Sequence, residues 1–75
     1  MTKLEMMIQM KQWRLADADK MIAEYKNRLL ATLNSNEVQM LDSVSHEADK
    51  LAEALLLKKT LMEEINELEQ LKEEN

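Results

Sequence analysis

From Leu4 onward, one kind of position returns in alternating steps of four and three: Leu4, Ile8, Lys11, Leu15, Ala18, Ile22, Tyr25 and Leu29. That spacing lays a single seam along one side of an α-helix, and it is incompatible with the two-residue period of a half-buried strand. Lys11 is the one polar intruder in it. The whole chain of 75 residues contains neither Gly nor Pro, so no residue breaks a helix through its backbone chemistry alone. A first helix is therefore expected from about Thr2 to Thr32.

The only local chemistry arguing for a stop and a restart lies in Leu33-Asn34-Ser35-Asn36-Glu37-Val38. Asn34 can cap a second helix, Glu37 stands where a capping box needs its acid, and Leu33 and Val38 form a hydrophobic staple. A turn is expected over residues 33 to 36. The structural alternative is one uninterrupted helix about 110 Å long, at 1.5 Å per residue.

The second helix is expected from about Ser35 to near Glu74, with Leu41, Val44, Ala48, Leu51, Leu55, Lys58, Met62 and Ile65 as its seam. Folding the chain at Asn34 sets Leu29 across from Leu41, Ile22 from Ala48, Leu15 from Leu55 and Ile8 from Met62. Small residues then meet large ones, and the two polar intruders, Lys11 and Lys58, share one layer. The fold class expected is all-α, an antiparallel coiled-coil-like hairpin spanning residues 1–75 as a single domain.

Two helices can each cover only one face of the other, so a chain of this size is marginal by itself and calls for a neighbour. Apolar residues make up 45% of the chain, too many for a disordered segment. The net charge of −5 disfavours a protein that tracks nucleic-acid phosphates. That charge is unevenly divided. Residues 1–33 hold six basic and four acidic side chains, residues 34–75 four basic and eleven acidic ones, so the two helices attract. With no cysteine there is no disulfide framework or thiol chemistry. The longest apolar run, Ala54-Leu55-Leu56-Leu57, is far too short for a membrane span, and Met1–Glu5 lacks the apolar core of a signal peptide. A cytoplasmic location is expected.

Beyond the seam, a second apolar stripe runs through Met6, Met10 and Trp13 on helix 1 and Ala54, Leu57, Leu61, Leu68 and Leu71 on helix 2. One hairpin cannot cover both stripes. Self-association into a four-helix bundle would cover the second, and so would another protein's helix, with Met supplying adaptable contact and Trp an anchor. The residues expected to meet a partner are Met6, Met10, Trp13, Leu57, Leu61 and Leu68. The Lys11/Lys58 layer either snorkels to water or receives a partner's acid. Asp42, His46 and Asp49 stand at helical spacing that permits a divalent-metal site, although a solvated histidine is the simpler expectation. One histidine and no cysteine leave no nucleophilic triad or structural zinc site. No enzyme activity and no cofactor are expected. The acidic tail from Glu63 onward is expected to be a solvated face that frays beyond about Leu71.

Three families of small helical hairpins share pieces of this pattern. Met1-Thr2-Lys3-Leu4-Glu5, Val38-Gln39-Met40-Leu41 and Ala48-Asp49-Lys50-Leu51-Ala52-Glu53-Ala54-Leu55 resemble the E-type chaperones of type III secretion. These help a second chaperone hold the needle subunit in the bacterial cytoplasm. Met1-Thr2-Lys3 and Ala48-Asp49 followed by Leu51 resemble the plasmid RNA-binding Rop hairpin, a homodimeric four-helix bundle. Ser45-His46-Glu47-Ala48-Asp49 is similar to the Ser-Gln-Glu-Leu-Asp signature of the sporulation phosphatases, departing at His46 and Ala48. That likeness implies Asp49 as the functional acid, acting on a phosphorylated response regulator. The function expected is that of a small secretion chaperone or co-chaperone that covers an apolar helix of its partner, by itself or as a homo-oligomer. An RNA-binding regulator and a response-regulator phosphatase are the alternatives.

Overall fold

The computed structural model describes residues 1–34 and 41–74, which form α1 (Lys3–Asn34) and α2 (Leu41–Glu74). The two helices pack side by side along a body 57 Å long. Lys11, early in α1, reaches Glu64, late in α2, and Thr32 near the end of α1 bonds Glu47 near the start of α2. The helices are therefore antiparallel, and the fold is the all-α hairpin expected. No helix among the described residues is long and apolar enough to cross a membrane.

α1 begins on a capping interaction. The Glu5 amide donates to Thr2 Oγ1 at 3.1 Å and the Met6 amide to the Thr2 carbonyl at 3.0 Å, which satisfies two of the amides a helix start leaves without partners. At its other end α1 runs through Asn34. Asn34 is thus inside the first helix, not the cap of the second, and α1 extends two residues past the expected end at Thr32. Ser35 to Met40, including Glu37 and Val38 of the expected capping box and staple, lie outside the described residues.

The seam of α1 matches its sequence pattern. Ile8 and Ala18 are buried, and Leu4, Lys11, Leu15, Ile22, Tyr25, Leu29 and Thr32 are half-buried. In α2 the inward residues are Val44, Glu47, Leu51, Ala54, Lys58, Leu61, Ile65 and Leu68. Four of these, Val44, Leu51, Lys58 and Ile65, are the expected ones. The intervening positions are each displaced by one residue: Ala48, Leu55 and Met62 are exposed, while Glu47 is half-buried and Ala54 and Leu61 are buried in their place. The helix is rotated so that the other edge of the shared row faces α1.

The register also differs. Lys11 Nζ lies 2.8 Å from Glu64 Oε2, six positions beyond the expected Lys58, and Lys58 Nζ lies 2.8 Å from Asp19 Oδ1. A slide of about one heptad leaves a heptad pattern nearly unchanged, so apolar spacing discriminates poorly between the two registers. Charge discriminates well. In the expected register two ammonium groups face each other; in the observed one each finds a carboxylate. The register sets Leu15 level with Leu61 and Ile22 level with Ala54. It also sets Lys58 level with Ala18, where a small side chain leaves room for the lysine stem, and Ala18 is 1% exposed.

Candidate protein-binding face

The observed register decides which expected contact residues remain accessible. Met6 and Met10 are half-exposed and Trp13 is 62% exposed. They stand at steps of four and three on the side of α1 turned away from the seam, so they take no part in the buried contact between the two helices. Leu57 is exposed on α2. Leu61 is 3% exposed and Leu68 is half-buried. Both belong to the inner seam, as does Ala54, which the sequence pattern placed in the outer stripe. Leu61 cannot serve as a partner contact while the hairpin is closed, and its assignment to the outer stripe is corrected accordingly; Leu68 lies at the edge of the seam with part of its side chain accessible.

A shallow groove of about 180 Å³ shows which residues share the outer surface of α1 with that stripe. Met7, Met10, Lys11 and Arg14 line it. Lys11 bridges from it to Glu64. Glu64 stands seven residues from both Leu57 and Leu71, so these three form one row along α2 on the same side of the hairpin. Met7, Leu57 and Leu71 are each between 41% and 50% exposed. Met21, seven residues and about two turns beyond Arg14, continues its row on α1 and is also exposed. One broad side of the hairpin thus presents apolar side chains from both helices around a polar centre of Lys11, Glu64 and Arg14. Arg14 has no ion pair among the described residues.

The opposite side is less apolar. Leu55 and Met62 are exposed on α2, flanking Lys58, while the α1 row across the seam is polar at Gln12, Asp19 and Lys26 and turns apolar only toward the end of the helix, where Leu30 and Leu33 are exposed. Met7 and Met21 were missed by sequence reasoning because they stand one position from the seam. Only the direction in which Lys11 leans, toward Glu64, makes them part of an outer surface. Leu55 and Met62 were assigned to the seam and are instead outside it.

Other candidate chemistry is dispersed. His46 and Asp49 are exposed on α2, as is Asp42, and among the described residues no group of three or more His, Cys, Asp or Glu side chains is placed to hold a metal ion. The expected Lys11/Lys58 layer does not form, since each lysine is paired with a carboxylate of the other helix. The pocket at the terminal end, lined by Met1, Glu5, Gln9, Gln12, Glu69 and Lys72 among others, is wide open to solvent. Its mixture of acids, amides and one lysine offers no convergent chemistry. Polar groups are satisfied throughout: no buried side-chain nitrogen or oxygen among the described residues lacks a partner. No protein-family model, no characterised protein and no solved structure matches this chain.

Proposed function

We propose that this chain is a non-enzymatic protein-binding module whose outer α1 surface covers an apolar helix of another protein. The observation that carries this reading is the exposure of Met6, Met10 and Trp13 in one row, outside the buried contact between the two helices. An amphipathic helix docks on such a row through its own side chains at three- and four-residue spacing. Unbranched Met adapts to the incoming surface, and an indole ring contributes large contact area for little lost conformational freedom.

The likeness to the E-type needle chaperones gives the proposal its most concrete form: a small cytoplasmic co-chaperone that, with a second chaperone, shields the needle subunit before export. Burial is the whole mechanism, and nothing is turned over. The test is co-expression with the second chaperone and the needle subunit of the same host, followed by size-exclusion chromatography. The native chain should co-elute with them. Met10→Asp with Trp13→Asp should abolish co-elution while circular dichroism still reports a helical hairpin. Unchanged co-elution of that double variant would overturn the proposal.

A further inference from the structure

The chain of 8.8 kDa exposes 5963 Å², whereas a compact folded monomer of that mass exposes about 4,800 Å². The excess of about 1,200 Å² exceeds the roughly 800 Å² that each partner loses in a stable interface of ordinary size. The broad side of a body 57 Å by 16 Å, about 900 Å² in projection, is large enough to supply such an interface. Both broad sides carry exposed apolar side chains, but on the side of Leu55 and Met62 those of α1, Leu30 and Leu33, stand only at its C-terminal end, whereas Met7, Met10 and Met21 line the other side of α1 opposite Leu57 and Leu71. We infer that a second copy of this chain covers that side, forming a four-helix bundle whose two-fold axis runs along the hairpin and whose terminal ends lie together.

Two observations select this arrangement over one with the ends opposed. The first is charge. α1 carries six basic and four acidic side chains, and α2 four basic and ten acidic. A two-fold axis along the hairpin stacks each α1 on the partner's α2, so the helix of net +2 meets the helix of net −6; an axis across the hairpin stacks α1 on α1 and α2 on α2. The second is position. Met7, Met10 and Leu71 lie toward the terminal end, and only an axis along the hairpin brings that end of one copy onto the same end of the other. In this arrangement Arg14 comes level with the partner copy's Glu64. A carboxylate held by its own Lys11 at 2.8 Å thereby gains a second cation, and the polar centre of the face becomes self-complementary.

The inference goes beyond the partner-binding reading and does not rest on it, although both use Met10, so dimer and partner exclude one another. Its test needs only the isolated chain. Sedimentation equilibrium at about 100 µM should give a dimer, since a well-packed interface of this size associates below that concentration. The chain has no cysteine, so a single Lys3→Cys spin label marks the terminal end cleanly. Paired helices 8–10 Å apart then place the two labels about 20–30 Å from each other. Arg14→Glu should weaken association by about tenfold or more, and Arg14→Glu with Glu64→Arg should recover most of it while both variants stay helical. A monomer, labels separated by nearly the 57 Å length of the hairpin, or a double variant as weak as the single one would each overturn the inference. None of those outcomes touches co-elution with a different protein, so failure here and failure of the partner-binding reading are separately visible.

Discussion

The two helices handle their apolar residues differently. α1 keeps an inner row, Ile8, Leu15, Ala18, Ile22 and Leu29, well apart from an outer row of Met6, Met10 and Trp13. α2 does not separate them. Val44, Leu51, Lys58 and Ile65 form a shared row with an apolar row on either edge: Ala54, Leu61 and Leu68 on one, Ala48, Leu55 and Met62 on the other. Either edge could turn inward at a rotation of a fraction of a turn. α1 thus acts as a fixed template and α2 as the element whose rotation and register are chosen by what α1 offers. What α1 offers is a carboxylate at Asp19 for Lys58, an ammonium at Lys11 for Glu64, and a small side chain at Ala18.

The difference between the two edges of α2 is open to a direct break. Leu61 is buried and its neighbour Met62 is half-exposed, so Leu61→Ala should cost about 3 kcal/mol of unfolding free energy and Met62→Ala less than about 1 kcal/mol. Urea titration followed by circular dichroism measures both. The reverse order would mean that α2 sits in the other rotation, with Ala48, Leu55 and Met62 inside. Equal losses would mean that it populates both.

The same contrast explains how much was legible in the residues. The seam of α1 was readable position by position because its steps of four and three run unbroken from Leu4 to Leu29, whereas the adjacent Met7, Met21 and Leu30 do not join into a second row of that length. The hairpin and its antiparallel sense followed from the length of the two patterns and their opposite charge. The rotation of α2 was not readable from spacing, because Leu55-Leu56-Leu57 and Leu61-Met62 place apolar residues on adjacent positions, and steps of three and four from Val44 fit both edges. The register was not readable either, since a heptad slide preserves the apolar match. Placing Lys11 against Lys58 gathered two defects into one layer, but a layer of two like charges is worse than two lysines each facing an acid. The error carried into the partner face, moving Leu61 outward and leaving Met7 and Met21 unnoticed. Met6, Met10 and Trp13 depend on α1 alone, and they stayed where the pattern put them.

A smaller effect sharpens the register. Lys11 and Glu64 are partly exposed, 21% and 41% at their side chains, so their attraction is screened and worth about 0.5–1 kcal/mol. A double-mutant cycle of Lys11→Met and Glu64→Gln should return a coupling of that size, since each change removes charge without adding a new one. Lys11→Met combined with a Lys58 change should be additive, because those two lysines belong to different pairs. Coupling between the lysines and none between Lys11 and Glu64 would restore the alternative register.

The smallest expected effect concerns the outer row of α1. Trp13 is 62% exposed and contributes no hydrogen bond among the described residues, so Trp13→Ala removes little packing from the hairpin. Ala is also the better helix former, by a few tenths of a kcal/mol. In dilute solution, where association is suppressed, Trp13→Ala should therefore leave unfolding stability unchanged within about 0.5 kcal/mol or raise it slightly. Ala16→Trp, one turn along and on the solvent side, is a control for the bulk of an indole at an exposed helical position. A loss near 2 kcal/mol for Trp13→Ala would mean that the indole packs onto the hairpin itself, and α1 would then lack the separation between its inner and outer rows that distinguishes it from α2.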